Sequence, residues 1–85
     1  MTLTEQTYEA DYEARATVLI ELAGSGRRAR ITWLNGQHRS GQVGVRRIGS
    51  EVVPTLDGRA LMGELCTCIR IEVMDGRRYR TVFET

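Results

Sequence analysis

Apolar and polar residues alternate near the start of the chain. From Tyr8 to Leu22 the even positions read Tyr8, Ala10, Tyr12, Ala14, Ala16, Val18, Ile20 and Leu22. The odd positions are polar or charged except for Leu19. A period of two sends successive side chains to opposite faces, so the run predicts a half-buried strand. Tyr8, Tyr12 and Ala16 also stand at i, i+4 and i+8, the spacing of one helix face. The β-branched Thr17, Val18 and Ile20 assign the second half to strand. Residues 4–14, rich in Ala and Glu, stay open between helix and strand.

The remaining elements follow from turn signals. "AGSG" at 23–26 predicts a turn into a second strand, with Ala29, Ile31 and Trp33 on one face and Arg28, Arg30 and Thr32 on the other. Pairing Leu22 with Arg27 sets Ile20 opposite Ala29, Val18 opposite Ile31 and Glu21 opposite Arg28. Asn35-Gly36 marks the next hairpin. A three-residue loop, Leu34-Asn35-Gly36 with its glycine left-handed, puts Val43 and Val45 on the side of Ala29 and Ile31. The same reasoning at "VMDGRRY" predicts a Met74-Asp75-Gly76 loop that aligns Ile71 with Tyr79 and Glu72 with Arg78. Val52, Val53, Thr55 and Leu56 read as a short strand that Pro54 confines to an edge. Asp57-Gly58 is a further turn, and Gly63 a bulge or bend. Five to six short antiparallel strands, linked mainly by hairpins, predict an all-β fold, a small barrel or a sandwich. The core is expected at Val18, Ile20, Leu22, Ile31, Trp33, Val43, Val45, Ile69, Ile71 and Phe83. The 85 residues make one domain, with the first half-dozen expected to be mobile.

"WLNGQHRSGQV" resembles the first sequence motif of Sm-like and Hfq-like proteins. In that motif an apolar strand leads into Asn/Asp-Gly, four residues, Gly, one residue and an aliphatic, places filled here by Asn35, Gly36, Gly41 and Val43. The resemblance covers residues 31–45 and extends to SH3-like barrels, so it implies a small antiparallel barrel. It carries over no RNA-binding residues. The family's acid after the second Gly falls at Arg47, and its Asn at Glu51. "IRI" at 69–71 lacks the Gly of the second motif, and the family's N-terminal helix is not what the alternation suggests.

Composition narrows the function. Hydrophobic content of 41% and charge of 27% argue against wholesale disorder. No apolar run approaches the roughly 18–20 residues that span a bilayer, and "MTLTEQTYEADYEAR" is too acidic and polar for a secretory signal. A cytoplasmic protein without membrane contact is expected. Cys66 and Cys68, one residue apart, read as strand thiols sharing a face, poorly placed for a bridge. Two cysteines and the lone His38 fall short of a zinc set. No metal or other cofactor is expected. His38 abuts a turn, and the acids occur singly with no DxD or HExxH spacing. No nucleophile, base and orienting group can be assembled, so the chain is not expected to be an enzyme.

Charge is the one candidate signal. All twelve basic residues are arginine. Residues 1–22 carry five acids and one arginine, 23–50 six arginines and no acid, and 51–85 six acids and five arginines. An acid-free stretch of this kind can steer a polyanion. The registers project Arg28, Arg30, His38 and Arg46 onto one outer face, with Thr32, Ser40 and Gln42 between them. Together with Arg39 and Arg47 these are the candidate phosphate contacts. Glu21 is expected to mask Arg28. Nucleic acid is therefore the first expected partner. Against it stand a pI near 7.8 and a Trp33 assigned to the core, away from bases. The alternative is a protein-interaction module, an adaptor or inhibitor, docking an acidic surface, or a homo-oligomer joining acidic and basic segments of different copies.

Overall fold

The computed structural model describes residues 5–85, with side chains from Asp11 onward. Glu5–Ala23 form a helix, α1, where the alternation predicted a strand. Ala, Glu and Leu are strong helix formers, and the buried positions decide the period. Arg15, Ala16 and Leu19 are buried, with Tyr12 and Ala23 packed at the margins. That set recurs every three to four residues. Leu19, the one exception to the alternation, is fully buried, whereas Val18, Ile20 and Leu22 are only partly covered. Glu21 therefore has no cross-strand pairing with Arg28. Of the expected mobile start, residues 1–4 lie outside the described residues, and Glu5 and Gln6 already belong to the helix.

Six strands follow: β1 (Arg28–Trp33), β2 (His38–Ile48), β3 (Glu51–Leu56), β4 (Arg59–Ala60), β5 (Cys68–Asp75) and β6 (Arg78–Glu84). They form one antiparallel sheet in the order β4-β3-β2-β1-β5-β6. The fold is predominantly β, as expected, but the sheet does not close. Its outer strands β4 and β6 do not meet, so the expected barrel or sandwich is replaced by an open sheet with a helix on one face.

The β1–β2 hairpin has the predicted register. Ile31 faces Arg39 and Ala29 faces Gly41. Trp33 N–H donates to the Gln37 carbonyl (2.8 Å) across a Leu34-Asn35-Gly36 loop whose glycine has φ +87°. The β5–β6 hairpin differs. Gly76 and Arg77 form a two-residue turn, with Asp75 opposite Arg78. Positive φ at the first turn position suits glycine, and Gly76 takes it (φ +66°). The shorter turn moves Ile71 away from Tyr79, toward Val82, and a bulge between Ile71 and Glu72 carries it one residue further, opposite Phe83. Cys66 lies in a 3₁₀ turn, Gly63–Thr67, and only Cys68 enters a strand, so the two thiols do not share a strand face.

β2 serves two partners. Residues 38–42 pair with β1 and residues 43–48 with β3. The β3–β4 turn docks at this changeover. The Asp57 carboxylate accepts from Gln42 N–H (2.9 Å), and Asp57 N–H donates to the Gln42 carbonyl (2.9 Å). Only a residue without a side chain fits beneath, since a Cβ on Gly41 would stand 2.5 Å from that carboxylate. Pro54 accepts from Leu61 N–H on the outer side of β3, where the missing proline N–H removes no ladder bond to β2.

The core lies between α1 and the sheet. Ile31, Trp33, Val43 and Ile71 are buried as expected, joined by Ala29, Leu56, Leu61, Leu65 and Cys68. Ile69 and Phe83 are half-buried. Val45 is 52% exposed, a correction that follows from β2 leaving β1 before reaching it. Arg15 crosses the helix–sheet interface. Its Nε–H donates to the Cys68 carbonyl (2.8 Å), Nη1 donates to the Asp11 carbonyl (2.9 Å), and the guanidinium sits 4.8 Å from the Phe83 ring centre.

Leu19→Ala should cost on the order of 2–5 kcal/mol in urea unfolding, and Val45→Ala no more than about 0.5 kcal/mol. The reverse order would restore the strand reading of residues 8–22. Gly41→Ala should displace the Asp57 carboxylate and cost about 1 kcal/mol, the worth of its hydrogen bond.

Candidate functional site

Because α1 covers one face of the sheet, the other is left to solvent, and the pairings show what it carries. Across β2 and β1, Gln42 stands opposite Arg28, Ser40 opposite Arg30, and His38 opposite Thr32. The rows continue into β5, with Glu72 opposite Arg30 and Arg70 opposite Thr32, and into β6, with Thr81 opposite Glu72 and Glu84 opposite Arg70. The expected grouping of Arg28, Arg30, Thr32, His38, Ser40 and Gln42 on one face is thus present.

Its charge is not distributed as expected. Glu72 takes Arg30 in a two-point contact, with Nε to Oε1 and Nη2 to Oε2 both at 3.0 Å. The Arg30 guanidinium also lies 4.3 Å from the Tyr79 ring centre. Planar, bidentate geometry makes this a strong charge-assisted pair. Hydrogen bonding from Arg30 holds the Glu72 carboxyl below the usual carboxylate range against the opposing effect of burial, and the same pair raises Arg30 further. On the same face Arg70 pairs with Glu84 at 2.9 Å, while Arg80 pairs with Asp75 at 3.3 Å on the other side of the sheet, in register with Val73. The face is therefore largely neutral at its centre.

Positive charge remains at one end. Arg27 and Arg28 lead into β1, and extending the β1–β5 register carries them past Val73 toward Met74 and Asp75. Those residues pair with Tyr79 and Arg78. Arg27, Arg28, Arg77 and Arg78 are exposed and form no ion pair with described residues. Arg77 and Arg78 escaped the sequence reading because they lie in a segment with more acids than arginines, and Tyr79 entered it only as an alternative stacking residue. "DGRRY" beside a turn was the signal that could have found them.

The other candidates lie elsewhere. Arg46 donates from Nη2 to the Gly58 carbonyl (2.6 Å), and Arg47 is exposed on the part of β2 that pairs with β3. Arg39 and His38 stand at the β1–β2 hairpin. Here the Arg39 guanidinium lies 5.4 Å from the Trp33 ring centre, and Trp33 Nε1–H donates to the Glu64 carbonyl (2.7 Å). The six predicted residues do not form one patch.

Burial pushes the Cys68 thiol up, away from the reactive thiolate, and its Sγ–H donates to the Arg70 carbonyl. Among the described residues no cluster of three or more His, Cys, Asp or Glu could hold a metal ion, and no helix is long and apolar enough to cross a membrane. Comparison with known protein families, curated proteins and solved structures finds no match.

Glu72 supplies a pH test. A depressed carboxyl contributes stability that is present above its unfolded pKa and is lost as pH falls through the folded one. Glu72→Gln should therefore be less stable than wild type at neutral pH, and the gap should narrow below about pH 5. Thermal unfolding from neutral to acidic pH measures it. A gap that is constant with pH would mean that the contact is not an ion pair.

Proposed function

We propose that the chain is a non-enzymatic binding module that contacts nucleic acid through the helix-free face of its sheet, weakly and without strong sequence preference. The observation that carries this reading is that strand order brings four exposed arginines, Arg27, Arg28, Arg77 and Arg78, to one end of the sheet. None of them is in an ion pair with a described residue, and Arg28 lies on the helix-free face while Arg27 and Arg78 alternate to the other side of the same end. Small polar residues beside them, Ser40, Gln42 and Thr81, suit phosphate and sugar contacts. Arg30 holds Tyr79 in place rather than meeting phosphate itself, and Arg46 and Arg47 stand apart. A cytoplasmic setting belongs to this proposal, and the buried thiol of Cys68 fits it.

A second reading, a protein-interaction module or homo-oligomer, is favoured by a different surface. Val45, Ile48, Val52 and Met62 are 42–52% exposed, and the last two line a groove with Tyr12 and Ile20. An interface of that kind is mainly apolar and insensitive to salt.

Four phosphate contacts imply a log–log salt slope of roughly −3 to −4, with micromolar or weaker affinity at physiological salt. Fluorescence anisotropy with labelled oligonucleotides at several salt concentrations measures both. The Arg27/Arg28/Arg77/Arg78→Ala variant should abolish most binding, and Arg46/Arg47→Ala little of it. No binding at about 50 mM salt, where such contacts are strong, or binding retained by the fourfold variant, would favour the apolar interface.

A further inference from the structure

The side of the sheet that α1 covers is not covered to its end. Val43 and Leu56 pair beneath the helix and are buried, and the period of a strand puts Val45, Arg47, Val52 and Pro54 on the same side. Toward the β2–β3 turn the cover gives out, leaving Val45 52% and Val52 46% exposed. Val45 stands opposite Pro54, two residues from Val52, a diagonal within reach across neighbouring strands. Beside Val52 a groove of about 670 Å³ opens against α1, its apolar lining drawn from Tyr12, Ile20, Val52 and Met62. Apolar surface of this kind, bordered by polar residues, marks a contact site.

The border selects the occupant. Glu13 and Glu51 line the groove, and Arg47 borders the apolar residues from β2, directly across from Val52. All three are exposed, and none forms an ion pair with a described residue. The groove is electronegative as well as apolar: burial first, and then the Glu51 and Glu64 carboxylates, push the Tyr12 phenol up. A polyanion or an anionic lipid surface is repelled there. An apolar surface that brings an arginine is attracted.

The patch carries that complement itself. In a twofold contact the same surface meets itself, so whatever one copy offers the other receives, and each unlike pair occurs twice. We propose that the occupant is a second copy of this chain, with Val45, Val52 and Met62 of the two copies packed together and Arg47 of each copy against Glu13 and Glu51 of the other. This rests on the protein-interaction reading and names its partner. Arg28, Arg30 and Ser40 lie on the opposite side of the sheet, so the dimer leaves the helix-free face of both copies open and the oligonucleotide test stands apart from it.

A patch of this size belongs with small, transient interfaces, so the full chain is followed by sedimentation velocity up to about 1 mM. Wild type should show a concentration-dependent monomer–dimer equilibrium. Like charges facing each other across an interface are costly, so Arg47→Glu alone, or Glu13→Arg/Glu51→Arg alone, should weaken the dimer about tenfold or more. Mixing these two variants should restore association, because every charge contact in the mixed dimer again joins opposite signs. Adding Val52→Asp to both should remove it. Circular dichroism matching wild type shows that each variant folds. A wild type that stays monomeric, a mixture no stronger than its components, or recovery that survives Val52→Asp overturns the second copy. Anisotropy with a labelled synthetic helical peptide of leucine and arginine then separates the two failures. Peptide binding that Val52→Asp removes leaves the protein-interaction reading with a foreign partner, and no peptide binding overturns both.

Discussion

An open sheet exposes two faces, and most of this one's buried apolar side chains lie on one of them, so a second layer has to cover it. α1 is that layer. Leu19 and Ala16 fill the space above β2 and the 3₁₀ turn, and Arg15 ties the helix to the Cys68 carbonyl and the Phe83 ring. A cation at such a site is tolerated because its donors are satisfied and its stem and plane lie against apolar groups. Without this helix the core side chains of β1, β2 and β5 would face water. With it, the opposite face is the one left for contact.

The same geometry governs charge. On a sheet surface, ions pair across neighbouring strands rather than along the chain. Glu72 reaches Arg30 from 42 residues away because β1 and β5 are neighbours, and Glu84 reaches Arg70 because β5 and β6 are. An arginine-rich stretch of sequence is therefore partly neutralised by acids from a distant segment. Among the described residues, four of the arginines left outside ion pairs, at 27–28 and 77–78, come to one end of the sheet, while Arg39, Arg46, Arg47 and Arg59 lie elsewhere.

β2 links the two halves of the molecule. Its changeover from β1 to β3 depends on the close approach of Asp57 to Gly41 and the reciprocal hydrogen bonds with Gln42. The changeover staggers the strands, which leaves the sheet open and turns Val45, Ile48 and Val52 toward solvent. The second candidate surface is thus a by-product of the same bend.

By itself the sequence determined what local chemistry controls. Turn dipeptides located Asn35-Gly36, Asp57-Gly58 and the Gly76 region, and the β1–β2 register followed from loop length and face. The three rows, Arg28–Gln42, Arg30–Ser40 and Thr32–His38, were legible for that reason. What was not legible depended on distant partners. Tyr8–Leu22 fits a period of two as well as a helix face, and only the sheet beneath could select Leu19 over Val18 and Ile20. The bulge at Ile71 is favoured by a partner, Phe83, that no local rule names. Glu72 and Arg30 meet only through strand order, because side chains far apart in sequence interact only once the chain has brought their strands together.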